Sequence, residues 1–97
     1  AGIRALVLES GPTCAEDLRA STFHPPTLEM LDDLGIFEEL KPQGLVAPLY
    51  QFRIRKTGEV LDFDLSELAD VTRFPFRLQA EQFKLARMLA AKLEAHP

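Results

Sequence analysis

Cysteine, histidine, tryptophan and surplus basic charge are what this sequence has least of. Cys14 is its single cysteine, so no internal disulfide can form. His24 and His96 are its only histidines and lie far apart, so no Cys or His pair has metal-ligand spacing. Asp and Glu number 15 against 11 Lys and Arg, a formal net charge of -4. A nucleic-acid surface needs clustered Lys and Arg, so that class of partner is excluded. The densest basic group, Arg53, Arg55 and Lys56, is followed at once by Glu59, Asp62 and Asp64, which reads as a solvated hairpin face. No apolar run exceeds the length of Ala5 to Leu8, which is far too short to span a bilayer. No charged n-region leads into an apolar h-region, so no signal peptide is expected and the cytoplasm is the expected location.

What is present is ordinary for a globular protein, 46% hydrophobic and 27% charged, which sets aside disorder and fibrous repeats. Ninety-seven residues make one small domain or part of a larger one. The chain opens on Ala1-Gly2-Ile3 and runs straight into an apolar segment. It closes on Ala95-His96-Pro97, where a long helix is expected to turn into another strand. Domain ends are usually solvated and dispensable, so part of a domain is the expectation.

Ile3 to Leu8 is nearly continuous in apolar residues, the pattern of a strand covered on both faces of a parallel sheet. Ser10-Gly11-Pro12-Thr13 breaks it, and a polar loop runs to Ser21. Pro25 and Pro26 suit a helix entry, with Leu28, Leu31 and Leu34 as a core stripe. Gly35 sits where a left-handed C-terminal cap belongs, with Ile36 folding back on the last turn. A short helix is expected over Phe37–Lys41, ending before Pro42 and Gly44, with Glu38 and Glu39 suiting its start. Tyr50, Phe52 and Ile54 alternate with polar residues, as do Leu61, Phe63 and Leu65. A two-residue turn at Thr57-Gly58 would set Ile54 opposite Leu61, Phe52 opposite Phe63, Tyr50 opposite Leu65 and Arg53 opposite Asp62. A short strand over Phe74–Leu78 and a helix over Gln79–Glu94 follow. The helix stripe is Leu78, Leu85, Ala86, Leu89 and Leu93, with Gln82 in its midst. The order suggests an α/β nucleotide-binding sheet with a second layer inserted into it.

Glu9, at the end of the first apolar segment, is the first functional candidate. A carboxylate there can accept hydrogen bonds from the ribose hydroxyls of an adenosine; alone, it reads rather as a solvated strand end. Arg19 alone is a loop charge. Gln82 must find hydrogen-bond partners, and a neighbouring backbone would supply them. His24 reads as a helix-entry residue and Cys14 as a plain small one.

The segment Arg19-Ala20-Ser21-Thr22-Phe23-His24-Pro25-Pro26-Thr27-Leu28-Glu29-Met30-Leu31, taken with Glu9 and Arg77-Leu78-Gln79-Ala80-Glu81-Gln82, resembles the group A flavoprotein monooxygenases, which hydroxylate aromatic rings. The resemblance runs in order over essentially the whole chain and is nearest the phenol-hydroxylase-like branch. It implies part of a Rossmann-like FAD-binding domain over residues 1–97, with 48–65 a β-hairpin of the substrate-side layer. The family's glycine-rich pyrophosphate loop is then expected before Ala1. By the same resemblance Glu9 contacts the adenosine ribose, Arg19 the diphosphate part of FAD, and Gln79 the cofactor at the start of its helix. An arginine fork and a helix start both suit phosphate oxygens. No residue is assigned a catalytic role. The implied reaction takes NADH or NADPH as co-substrate, O2, and a small phenolic or other aromatic substrate; self-association of the full-length protein stays open. The alternatives are an epoxidase- or halogenase-like flavoprotein of the same superfamily, or a non-catalytic nucleotide-binding or interaction domain.

Overall fold

Proline sets where the first helix begins. In the computed structural model, which describes residues 2–95, strand β1 (Thr22–Phe23) leads into helix α1 (Pro25–Asp33) with Pro25 as its first residue and His24 as its N-cap. Pro lacks an N–H and has its φ preset, so the first helical turn tolerates it. The helix ends as expected. Gly35 (φ +68) donates to the Asp32 carbonyl at 2.8 Å and Ile36 to the Leu31 carbonyl at 2.8 Å. This pair of bonds is the Schellman cap, which turns the buried Ile36 back onto the helix. Leu28 and Leu31 are buried, whereas Leu34, at the C-cap, is exposed.

Helix α2 (Phe37–Leu40) tightens into a 3₁₀ turn (Lys41–Gln43) ahead of Gly44, one residue short of the expected α-helical end. Strand β2 (Leu45–Ala47) then pairs with β5 (Arg77–Gln79), and β1 pairs with the other edge of β5, giving the antiparallel order β1-β5-β2. The expected strand over Phe74–Leu78 starts later because Phe76 N–H turns back to the Phe74 carbonyl at 2.8 Å around Pro75, which has no N–H for a ladder. Phe74 and Phe76 instead cluster with Phe37, with ring centroids of 4.3 Å (Phe37–Phe74), 6.4 Å (Phe37–Phe76) and 6.1 Å (Phe74–Phe76). They join Leu28, Ile36, Leu40, Leu78 and Met88 in the core. Arg73 grips Asp32 at 2.7 Å and Asp33 at 3.0 Å, and the Thr72 hydroxyl donates to Glu29 at 2.6 Å, fastening the preceding loop to α1.

The hairpin forms, β3 (Leu49–Arg53) against β4 (Val60–Asp64), but in a different register. Phe52 faces Leu61, Tyr50 faces Phe63 and Arg53 faces Val60. Ile54 and Glu59 close a four-residue loop, with Ile54 N–H to the Glu59 carbonyl at 2.9 Å and Gly58 N–H to the Ile54 carbonyl at 2.9 Å. A two-residue hairpin turn needs positive φ at its first position, which β-branched Thr57 resists. The longer loop asks for one such residue, and Gly58 supplies it at φ +77.

Helix α3 spans Gln82–Glu94, three residues later than the expected start, because Gln79 stays in β5, paired to Thr22 and Leu45. Met88, Leu85 and Leu89 pack inward, while Leu93 is exposed. The Ile3–Leu8 segment does not form the expected strand: it has no strand pairing, and Ile3, Leu6, Val7 and Leu8 are all exposed. A strand exists only by hydrogen bonding to another, and the described strands bond to one another. The turn expected around His96 and Pro97 lies outside the described residues.

Candidate functional site

Two stretches distant in sequence meet at the start of α3. The Ala80 N–H donates to the Ser21 carbonyl at 3.0 Å and the Gln82 N–H to the Ala20 carbonyl at 2.9 Å. These bonds prolong the β1–β5 ladder and set residues 19–21 against the first turn of α3. Glu16 pairs with Arg87 on α3, which draws the loop after Glu9 onto the same helix. The result is an open cleft of about 260 Å³ between loop and helix, with Glu9, Cys14, Asp17, Arg19, Gln82 and Phe83 in its lining. That is below the ~300–1,000 Å³ of sites that enclose a drug-sized ligand, so it suits a portion of a long one.

Each polar side chain here is held in a form a ligand could exchange. Glu9 Oε1 accepts the Gly11 N–H at 2.7 Å, which orients the carboxylate and leaves acceptor capacity to spare. Arg19 Nε meets Asp17 Oδ2 at 2.5 Å, and Arg19 is 79% exposed. An exposed pair contributes only about 0–1 kcal/mol, so phosphate oxygens could displace Asp17. Gln82 is exposed at the helix start, where the helix dipole favours anions. At the back of this junction Glu81 is held below the usual carboxylate range, chiefly by its hydrogen bond from Lys84. Lys84 Nζ, 2.6 Å from Glu81 Oε2, also donates to the Gln43 carbonyl at 2.8 Å and ties α3 to the turn after α2.

Of the residues singled out in the sequence, Glu9 and Arg19 line the cleft and Gln79 does not. Gln79 sits on β5 rather than at a helix start, and its Oε1 accepts the Thr22 hydroxyl at 3.1 Å. Gln82 takes the helix-start place instead. The sequence signal for it is a glutamine in an apolar stripe, which by itself predicts only a group satisfied by nearby backbone. It is the Gln82 backbone N–H, not its side chain, that bonds the neighbouring Ala20. His24, exposed at the α1 N-cap, borders another hollow, of about 390 Å³, with Pro26, Leu65, Leu68 and Val71, and no Lys or Arg lines it. No helix among the described residues is long and apolar enough to cross a membrane.

The cleft thus gathers a carboxylate acceptor, a guanidinium and a side-chain amide at a helix start. Residues 1–97 match the model of the FAD binding domain family, and the chain belongs to that family. It is 33% identical, over all 97 residues, to 6-hydroxy-3-succinoylpyridine 3-monooxygenase HspB of Pseudomonas putida (strain DSM 28022 / S16), of which it covers 25%. It is 27% identical to para-nitrophenol 4-monooxygenase of Pseudomonas sp. (strain WBC-3), again over its whole length and 24% of the relative. In three dimensions it resembles the crystal structure of p-nitrophenol 4-monooxygenase PnpA from Pseudomonas putida DLL-E4. That match has a TM-score of 0.86 and 28% identity, over 99% of this chain and 24% of the other. The chain thus spans about a quarter of the length of the curated relatives it matches.

Proposed function

We propose that this chain supplies the adenosine and diphosphate side of the FAD site of an aromatic-ring monooxygenase. The observation that carries the reading is the convergence of Glu9 and Arg19, from one loop, and Gln82, from a helix start more than sixty residues on, on one cleft. Glu9 accepts from the ribose hydroxyls, Arg19 pairs with diphosphate oxygens, and Gln82 donates to the cofactor from the helix start. Gln79, whose carbonyl oxygen is engaged by Thr22, keeps its amide N–H2 to meet the cofactor from the strand side. The family membership and the monooxygenases named among the relatives support the same reading, and the nitrophenol enzyme among them supports a phenolic substrate. When bound, the flavin supplies the redox chemistry between NADH or NADPH, O2 and the ring. The residues of this chain bind and orient it.

The test is the FAD dissociation constant of variants of the full-length protein, set beside turnover at saturating FAD. A hydrogen bond to a charged group contributes about 1.5–3 kcal/mol. Glu9→Ala and Arg19→Ala should therefore each weaken FAD binding roughly tenfold to a hundredfold. Gln82→Ala and Gln79→Ala remove neutral donors and should cost about two- to tenfold. Turnover should largely recover at saturating FAD, because none of these groups makes or breaks a substrate bond. Unchanged affinity in Glu9→Ala and Arg19→Ala would refute the site.

A further inference from the structure

Directly opposed residues of an antiparallel pair lie on the same side of a sheet. In the β1-β5-β2 sheet, Leu78 with Phe23 and Val46 therefore takes the core side. Gln79 with Thr22 and Leu45, and Arg77 with Ala47, share the other. Arg77 is the unexplained member of that outer face. It is only partly exposed, and its Nε is buried without a hydrogen-bond partner. No carboxylate among the described residues forms an ion pair with it, whereas Arg19, Arg73 and Arg87 each have one. A guanidinium has five N–H donors, no acceptor and a permanent charge. Leaving it half-buried and unpaired is destabilising unless an anion completes it.

Its placement is nonetheless firm. The Arg77 guanidinium carbon lies 4.4 Å from the Tyr50 ring centroid. Tyr50 in turn stacks on Phe63, with centroids 4.8 Å apart and planes 10° apart. The hairpin thus seats the cation over the Tyr50 ring, and none of its N–H groups is taken by a hydrogen bond or ion pair among the described residues.

We propose that Arg77, stacked on Tyr50, recognises the anionic oxygen of an aromatic substrate, a phenolate or ring carboxylate, lying along the Ala47 and Leu45 side of this face. The inference rests on the proposed function, because Gln79, placed there at the cofactor, is two residues along the same strand face, about 6.6 Å from Arg77. A guanidinium edge matches a planar anionic oxygen group, and apolar Ala47 and Leu45 suit a ring.

The experiment uses the full-length protein, first assayed for FAD uptake, then titrated with 4-nitrophenolate and with neutral nitrobenzene. Arg77→Met keeps the apolar stem and removes the charge. It should weaken 4-nitrophenolate binding about ten- to a hundredfold, with nitrobenzene binding and FAD affinity little changed. Arg77→Lys, which keeps the charge without the planar fork, should lose less and still prefer the anion. Equal loss for both probes in Arg77→Met would show a merely structural arginine, and no loss for either would show a spectator; each overturns the proposal. Failure of the unaltered protein to take up FAD would instead count against the proposed function. Equilibrium dialysis of the same two probes would then still decide the role of Arg77.

Discussion

At Gly44 the chain passes so near β5 that a side chain has nowhere to go. A Cβ there would lie 2.7 Å from the Gln79 carbonyl oxygen, 2.9 Å from the Ala80 Cβ and 3.1 Å from Leu78 Cδ1. The backbone is extended (φ -132), so close approach alone demands glycine. The Gln79 carbonyl belongs to strand backbone and cannot rotate aside, so Gly44→Ala should destabilise the full-length protein by about 1–3 kcal/mol. The measurement is the urea midpoint, and an unchanged midpoint would mean that β2 and β5 part at little cost. Such closeness was invisible in the sequence, where Gly44 read only as a helix stop. Glu9 and Arg19 stand out in the sequence as loop charges, and the structure places both at the cleft. The place of Gln82 beside them is not legible in the sequence, because it depends on where β5 ends. The pairing of Gln79 with Thr22 and Leu45, more than fifty and more than thirty residues away in sequence, decides that end.

The hairpin shows the same division between local and non-local information. Alternation along Tyr50–Ile54 and Leu61–Leu65 identifies two strands and their apolar faces, and these hold. Register is another matter: a slip of one residue would reverse the faces, but a slip of two leaves every side chain on its own face. The pattern therefore fits the expected and observed pairings equally, and loop chemistry at Thr57 and Gly58 chooses between them. Beyond β4, Asp64 caps the 3₁₀ turn Leu65–Leu68, its Oδ1 accepting the Ser66 N–H at 2.9 Å. Hydrogen bonding from Ser66, by its side chain first and its backbone second, holds the Asp64 carboxyl below its ordinary value of 3.8. A depressed value in the folded state means that the cap is fully in place above the ordinary value. It is lost as pH falls through the lower folded one. Carboxyl NMR should show Asp64 titrating below 3.8, and Ser66 amide protection should fall with it. Asp64→Asn keeps an acceptor that does not titrate, so its Ser66 amide should lose this acid dependence. An unaltered acid response in Asp64→Asn would remove Asp64 as its cause.

On the scale of the whole chain, surface is the telling quantity. The chain exposes 7770 Å² and has a radius of gyration of 16.8 Å. A compact 10.9 kDa monomer would expose about 5,600 Å² and have a radius near 12.5 Å. The excess comes from the unpaired Ile3–Leu8 segment, with Leu8 85% exposed, and from the two-stranded hairpin, where Leu49, Phe52, Val60, Leu61 and Phe63 all reach solvent. A lone hairpin is marginal in water, and an apolar segment without strand partners has nothing to hold it. Apolar continuity predicts a covered strand over Ile3–Leu8, and the segment forms none, because the partner a strand needs is not encoded in the strand itself. As an isolated 97-residue polypeptide, the chain should elute larger than a compact 10.9 kDa monomer and bind an anilinonaphthalene dye. Its cleft of about 260 Å³ embraces part of a dinucleotide only, and the loop carrying Glu9 and Arg19 meets α3 chiefly through the exposed Glu16–Arg87 pair and backbone bonds at Ala20 and Ser21. The ordering of that loop must be met from the binding energy, which weakens the apparent affinity. FAD should therefore be lost from the isolated polypeptide on gel filtration. A compact, dye-free monomer that carries stoichiometric flavin through the column would show that the cleft is preorganised and sufficient by itself.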